Sequence, residues 1–68
     1  MRLDIKLNNK PYNLKDGLSL HDLIQILDLN SDGIVTEVNL QIVKKQNRDE
    51  TILKNGDKIE IITFMGGG

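Results

Sequence analysis

Only one stretch of this 68-residue chain repeats its apolar residues at helical spacing, and that restricts its fold more than any other feature. Leu20, Leu23, Ile24 and Leu27 fall at i, i+3, i+4 and i+7, which places four aliphatic groups on one stripe of a helix from about Leu20 to Leu27. Ser19 stands at the N-cap, Asp22 completes a capping box, and Leu18 and Leu23 fit the hydrophobic staple around it. Ahead of the helix, Met1, Leu3, Ile5 and Leu7 alternate with Arg2, Asp4 and Lys6, the period-two pattern of a half-buried strand. Asn8-Asn9-Lys10 suits a turn with left-handed backbone angles, and Pro11 to Lys15 then presents Tyr12 and Leu14 on one side, so a hairpin is expected. Pro11 lacks a ladder donor and belongs at the beginning of the second strand or on an outward-facing edge.

Beyond the helix, Asn30-Ser31-Asp32-Gly33 is read as the stop, and Ile34 to Val43 resumes β character with an interruption at Asn39 to Gln41. Gln46 to Glu50 reads as polar loop, Thr51 to Leu53 as a short apolar segment, and Asn55-Gly56-Asp57 as a tight turn of the Asn-Gly type. The last strand, Lys58 to Phe64, puts Ile59 and Ile61 on one face and Ile62 and Phe64, with Glu60, on the other. Strand, strand, helix, strand, strand cannot form alternating βαβ units. The economical architecture is an α+β one, a mixed sheet with the helix laid across one face. A terminal strand buried in so short a chain pairs best with the first strand, in parallel, which is the β-grasp arrangement. Residues 1–64 are expected to form this domain and residues 65–68 a flexible glycine tail.

With no cysteine, the chain has no disulfide, thiolate metal site or thiol nucleophile. Nine basic residues against ten acidic ones leave a net charge of -1, without the electrostatic footprint of a nucleic-acid or anionic-membrane binder. Met1 to Asn9 contains no continuous apolar stretch and reads as neither a signal peptide nor a membrane span, so a cytoplasmic location is expected. The one histidine, His21, sits beside Asp22 near the helix start with no nucleophile, and it reads as a solvated residue. Asp28, Asn30, Asp32 and Gly33 imitate the opening of an EF-hand calcium loop, with Val35 as its apolar residue. The imitation fails at Asn39, where a bidentate Glu is needed, and a strand follows in place of the exiting helix. No metal, bound cofactor or catalytic side chain is expected, and the free chain is expected to be a monomer.

The chemistry concentrates at the carboxyl end. Gly66-Gly67-Gly68 follows an apolar strand almost directly, so a tail without side chains can enter a channel too narrow for larger residues. The carboxylate of Gly68 is then the unhindered functional group. It is a poor acyl donor until adenylation by ATP supplies a leaving group that a sulfur nucleophile can displace. Ile62 and Phe64, facing away from Ile59 and Ile61, form with Met65 a candidate docking patch, extended by a residue such as Val38 or Leu40.

Several segments carry a resemblance over the whole chain: Leu7 to Asn9, Asp16-Gly17-Leu18-Ser19-Leu20 leading into Asp22-Leu23-Ile24, Val38-Asn39 before Gln41-Ile42-Val43, Leu53 to Ile61, and Thr63 to Gly68. Together they resemble the sulfur-carrier family of thiamine biosynthesis, ThiS, whose members are small ubiquitin-like β-grasp proteins. The family often has Gly where Asn9 stands and Pro where Lys44 stands; both departures lie in turns or loops. The resemblance implies that a ThiF-like adenylyltransferase uses ATP and Mg²⁺ to activate Gly68, and that a cysteine-desulfurase relay supplies sulfur to make a thiocarboxylate. A ThiG-like thiazole synthase then accepts the sulfur. The small subunit of molybdopterin synthase is the nearest alternative; its members are usually longer and often approach the glycines through a proline, which Phe64-Met65-Gly66 lacks. A ubiquitin-like carrier for protein modification or for another sulfur pathway shares the fold and tail, and a passive β-grasp interaction module is the alternative of a different class.

Overall fold

The structure is a computed structural model and describes residues 2–64, so Met1 and the residues Met65, Gly66, Gly67 and Gly68 lie outside it. Five strands, β1 (Arg2–Leu7), β2 (Lys10–Lys15), β3 (Ile34–Val38), β4 (Gln41–Val43) and β5 (Lys58–Thr63), form one mixed sheet in the order β2-β1-β5-β3-β4. β5 is the middle strand, parallel to β1 and antiparallel to β3. Pro11 falls on β2, an edge strand, where its missing donor costs no ladder bond.

Both hairpins are closed by paired residues in the left-handed region. Asn8 and Asn9 have φ of 49° and 68°, and Asn39 and Leu40 have φ of 53° and 70°. Such angles match the right-handed twist of the flanking strands. The interruption expected at Asn39 to Gln41 is therefore a hairpin turn joining two short strands. The turn before β5 differs from the Asn-Gly hairpin signal, since only Gly56 takes a positive φ, 86°. Its bond from the Asp57 N–H to the Lys54 carbonyl (3.1 Å) closes a turn with Gly in the third position, and the segment before it does not pair with β5.

Helix α1 (Leu20–Ile26) begins at the expected capping box: the Ser19 hydroxyl accepts from the Asp22 N–H (3.1 Å), and the Asp22 carboxylate accepts from the Ser19 N–H (2.9 Å). The helix ends sooner than the polar run at Asn30 suggested. Asp28, at φ 57°, donates its N–H to the Gln25 carbonyl (3.0 Å), and Leu29 donates to Ile24 (3.2 Å). This is a Schellman ending with aspartate where glycine is usual.

Leu20, Leu23 and Ile24 of the helix stripe are fully buried in one cluster with Ile5, Leu14, Ile34, Ile59 and Ile61 of the sheet and Leu53, while Leu27, the fourth residue of the stripe, is partly buried against it. Each such side chain contributes about 1.5–3 kcal/mol on leaving water. One helix covers one face only, so alternate residues of β3, β4 and β5 remain on an uncovered face.

Candidate functional site at the end of the central strand

The site is built around the exit of β5. Side-chain amides clamp this strand at both ends. At its tail end, Asn8 accepts from the Ile61 N–H (2.8 Å) and donates to the Ile61 carbonyl (3.2 Å), so a turn residue of the first hairpin extends the parallel ladder beyond β1. At its other end, Asn39 accepts from the Lys58 N–H (2.9 Å) and donates to the Asp57 carboxylate (3.0 Å). Phe64, the last described residue, donates its N–H to the Gly33 carbonyl (3.1 Å). The strand thus stays anchored up to the start of the tail.

Ile62 and Phe64 are 50% and 61% exposed, as their alternation with the buried Ile59 and Ile61 predicts. The two extensions considered for this patch are corrected by the register. Val38 lies on the helix side, packed against the core, because it shares a face with Ile34 and Thr36. Leu40 is exposed but sits at the β3–β4 tip, and Val38 pairs with Ile59, so that tip is at the opposite end of β5 from Phe64. The residues that do share the uncovered face are Val35, paired with Ile62, and Ile42, which is 68% exposed beside Glu37. The alternation of Ile34 to Val38 carried the signal for Val35; Ile42 needed the β3–β4 register. Met65, Gly66, Gly67 and Gly68, the other residues proposed for docking and for the reactive tail, lie outside the described residues.

The residue that sequence reasoning missed is Arg48. Its segment reads as polar loop, yet its side chain is buried and donates to the Thr36 hydroxyl (3.2 Å), the Ser31 carbonyl (2.8 Å) and the Ile34 carbonyl (3.1 Å). Burial draws its guanidinium below the ordinary arginine range, and the charge of Asp32 acts in the other direction. Its backbone carbonyl accepts from the N–H groups of His21 (3.2 Å) and Thr51 (3.3 Å), so one residue ties the helix start to the beginning of β3. Gly33, which receives Phe64, lies in the short 3-10 turn Ser31–Gly33 that Arg48 holds.

Asn30 and Asp32 of the calcium-like run are committed elsewhere. Asn30 caps the 3-10 turn by accepting from the Asp32 N–H (3.0 Å), and the Asp32 carboxylate pairs with Lys45. That hydrogen bond and the Lys45 charge hold the Asp32 carboxyl below the usual range. His21 lies 3.9 Å from Asp49, its side chain 40% exposed and that of Asp49 78% exposed. Among the described residues no group of three His, Cys, Asp or Glu side chains converges, and no helix is long and apolar enough to cross a membrane.

One α-helix across a mixed sheet whose first and last strands run parallel inside it defines a ubiquitin-like β-grasp protein. The chain belongs to the ThiS family, whose model matches residues 5–68. It is 34% identical to the sulfur carrier protein ThiS of Bacillus subtilis over 65 residues, covering 94% of this chain and 98% of that one. The crystal structure of the thiamine biosynthesis protein ThiS from Geobacter metallireducens superposes with a TM-score of 0.80 at 30% identity, covering 97% of this chain and all of that one, 100%. A thiazole synthase of Paramagnetospirillum magneticum is 30% identical over 66 residues, which are 97% of this chain but 20% of the synthase.

Proposed function

We propose that this protein carries sulfur for thiazole assembly as a co-substrate of partner enzymes, with the carboxylate of Gly68 as its reagent. A ThiF-like adenylyltransferase, using ATP and Mg²⁺, joins a Gly68 carboxylate oxygen to the α-phosphorus and releases pyrophosphate. A relay persulfide charged by a cysteine desulfurase displaces AMP from the acyl carbon to give an acyl disulfide; a second thiol then captures the relay sulfur as a disulfide and releases the thiocarboxylate, which passes its sulfur to a ThiG-like thiazole synthase. The thiocarboxylate suits that transfer, because it is ionised near neutral pH and sulfur is its softer, more nucleophilic end. ATP-dependent activation fits a cytoplasmic location.

The observation that carries this reading is the placement of β5. The strand leading to the glycines is the central one, clamped by Asn8 at Ile61 and tied to Gly33 at Phe64, so the folded body holds the root of the tail still. Exposed Ile62 and Phe64 beside that root offer a partner a grip. A thiazole synthase that contains a segment similar to this chain supports the choice of sulfur acceptor, since fusion in one polypeptide is one way to keep two partners together.

Incubation with an active ThiF-like enzyme, ATP and a sulfur source, followed by intact mass spectrometry, tests the reading. One terminal oxygen should be exchanged for sulfur, and deletion of Gly68 or extension by Ala should abolish the exchange. A chain left unmodified by demonstrably active partners would refute it.

A further inference from the structure

The uncovered sheet face holds a pairing that the fold alone does not call for. Glu37 of β3 and Glu60 of β5 are register partners, and alternation puts both on the face away from the helix. Directly opposite residues in an antiparallel pair have Cβ atoms about 4.5–5.5 Å apart, and like charges there are destabilising. Both residues are half-buried, and neither carboxylate has a cation within ion-pair distance among the described residues. Lys58 precedes Glu60 on the same face of β5 and is paired with Lys6, so the adjacent row of the sheet carries two lysines, neither within ion-pair distance of the acids. Apolar groups border the acids on two sides: Ile42 is Glu37's partner on β4, and Val35 and Ile62 form the next row towards the tail.

From this juxtaposition we propose that the Glu37–Glu60 pair, framed by Val35, Ile42 and Ile62, is the recognition point for an arginine-bearing apolar patch on the activating enzyme that takes the tail. The inference rests on the carrier reading and deepens it. A planar guanidinium can bridge two carboxylates at this spacing, and it is desolvated at lower cost than an ammonium when set among aliphatic side chains. A bound guanidinium then neutralises two like charges that the fold sets in register. Position favours an enzyme over a second copy of the chain: the patch is continuous, through Ile62, with the root of the tail at Phe64, and a second copy seated there would cover the end that has to react.

The test compares the wild-type chain with the double variant Glu37→Gln/Glu60→Gln, which keeps shape and removes charge. Dissociation constants for a ThiF-like enzyme come from calorimetry, turnover from ATP–pyrophosphate exchange at saturating carrier, stability from thermal unfolding, and association from sedimentation. The double variant should bind about tenfold or more weakly, show little change in saturated turnover, and lose most of the salt dependence of binding. It should also unfold at a higher temperature than wild type, a sign opposite to that of a merely structural role. Unchanged affinity in the double variant, with the wild type adenylated normally, overturns the inference and leaves the carrier reading standing. A wild-type chain that an active enzyme fails to adenylate overturns both. A dimer of the free chain that the double variant dissolves overturns it in favour of a second copy, whose Lys6 and Lys58 would supply the cations.

Discussion

Leu40 shows how much of this fold is written in backbone angles at single residues. It occupies the second turn position of the β3–β4 hairpin at φ 70° with 74% of its surface exposed. A leucine there bears the left-handed penalty of roughly 1–2 kcal/mol with little burial in return. Leu40→Gly converts the turn to Asn-Gly, and after the extra unfolded-state entropy of glycine it should gain about 0.5–1 kcal/mol, raising Tm by a few degrees. A lower melting temperature would mean that the leucine packs in a way its exposure conceals. Asp22 gives a residue-scale prediction in pH. The Ser19 backbone N–H, then the Ser19 hydroxyl, hold its carboxyl below the usual range. A carboxyl with a depressed folded value stabilises the protein above its unfolded value and loses that contribution as pH falls through the folded one. Acid titration of wild type should therefore show stability fading below about pH 4, and Asp22→Asn should show a shallower loss over the same window. Parallel titration curves would remove the capping carboxylate from the account.

At the scale of elements, the sequence was legible wherever a period or a cap decided the outcome. The helix stripe, the Ser19–Asp22 box, the Asn8-Asn9 turn and the parallel pairing of first and last strands all followed from residues close in sequence or from the need to bury β5. What escaped were one local cap and the contacts made across the chain. Asp28 ended the helix although aspartate is not the usual residue for a left-handed cap, and Val38 turned inward because the register of β3 against β5 fixed its face. Arg48 was the largest omission. Hydropathy marks an arginine among polar residues as solvent-facing, and only the folded chain brings Thr36, Ser31 and Ile34 within reach of it. Arg48→Met keeps the apolar stem and removes three donors, leaving buried carbonyls unpaired at a cost of about 2–3 kcal/mol. Chemical denaturation should register that loss, and hydrogen exchange should show it concentrated in the Phe64 and Thr51 amides, which depend on the segments that Arg48 ties together. A loss below about 0.5 kcal/mol would mean that water replaces the guanidinium without penalty.

For the molecule as a whole, the two faces of the sheet divide the work. The helix side holds Leu20, Leu23, Ile24 and Ile59 with essentially no exposure, and stability resides there. The other side and the end of β5 carry residues that the fold does not need, including Phe64, which is one of only two aromatic residues in the chain and is mostly exposed. An exposed aromatic beside a strand terminus contributes little to the folded state but can supply more than 1 kcal/mol to a complex when a partner desolvates it. Phe64→Asp separates these roles. Its backbone N–H still reaches the Gly33 carbonyl, so unfolding free energy should remain within about 0.5 kcal/mol of wild type. Adenylation by a ThiF-like enzyme should show a KM raised about tenfold or more, with turnover at saturating carrier much less affected, because the tail proposed to react is unaltered. Wild-type kinetics in this variant would remove Phe64 from the docking surface. A large loss of stability would instead make it part of the core, and the division between the two faces would fail with it.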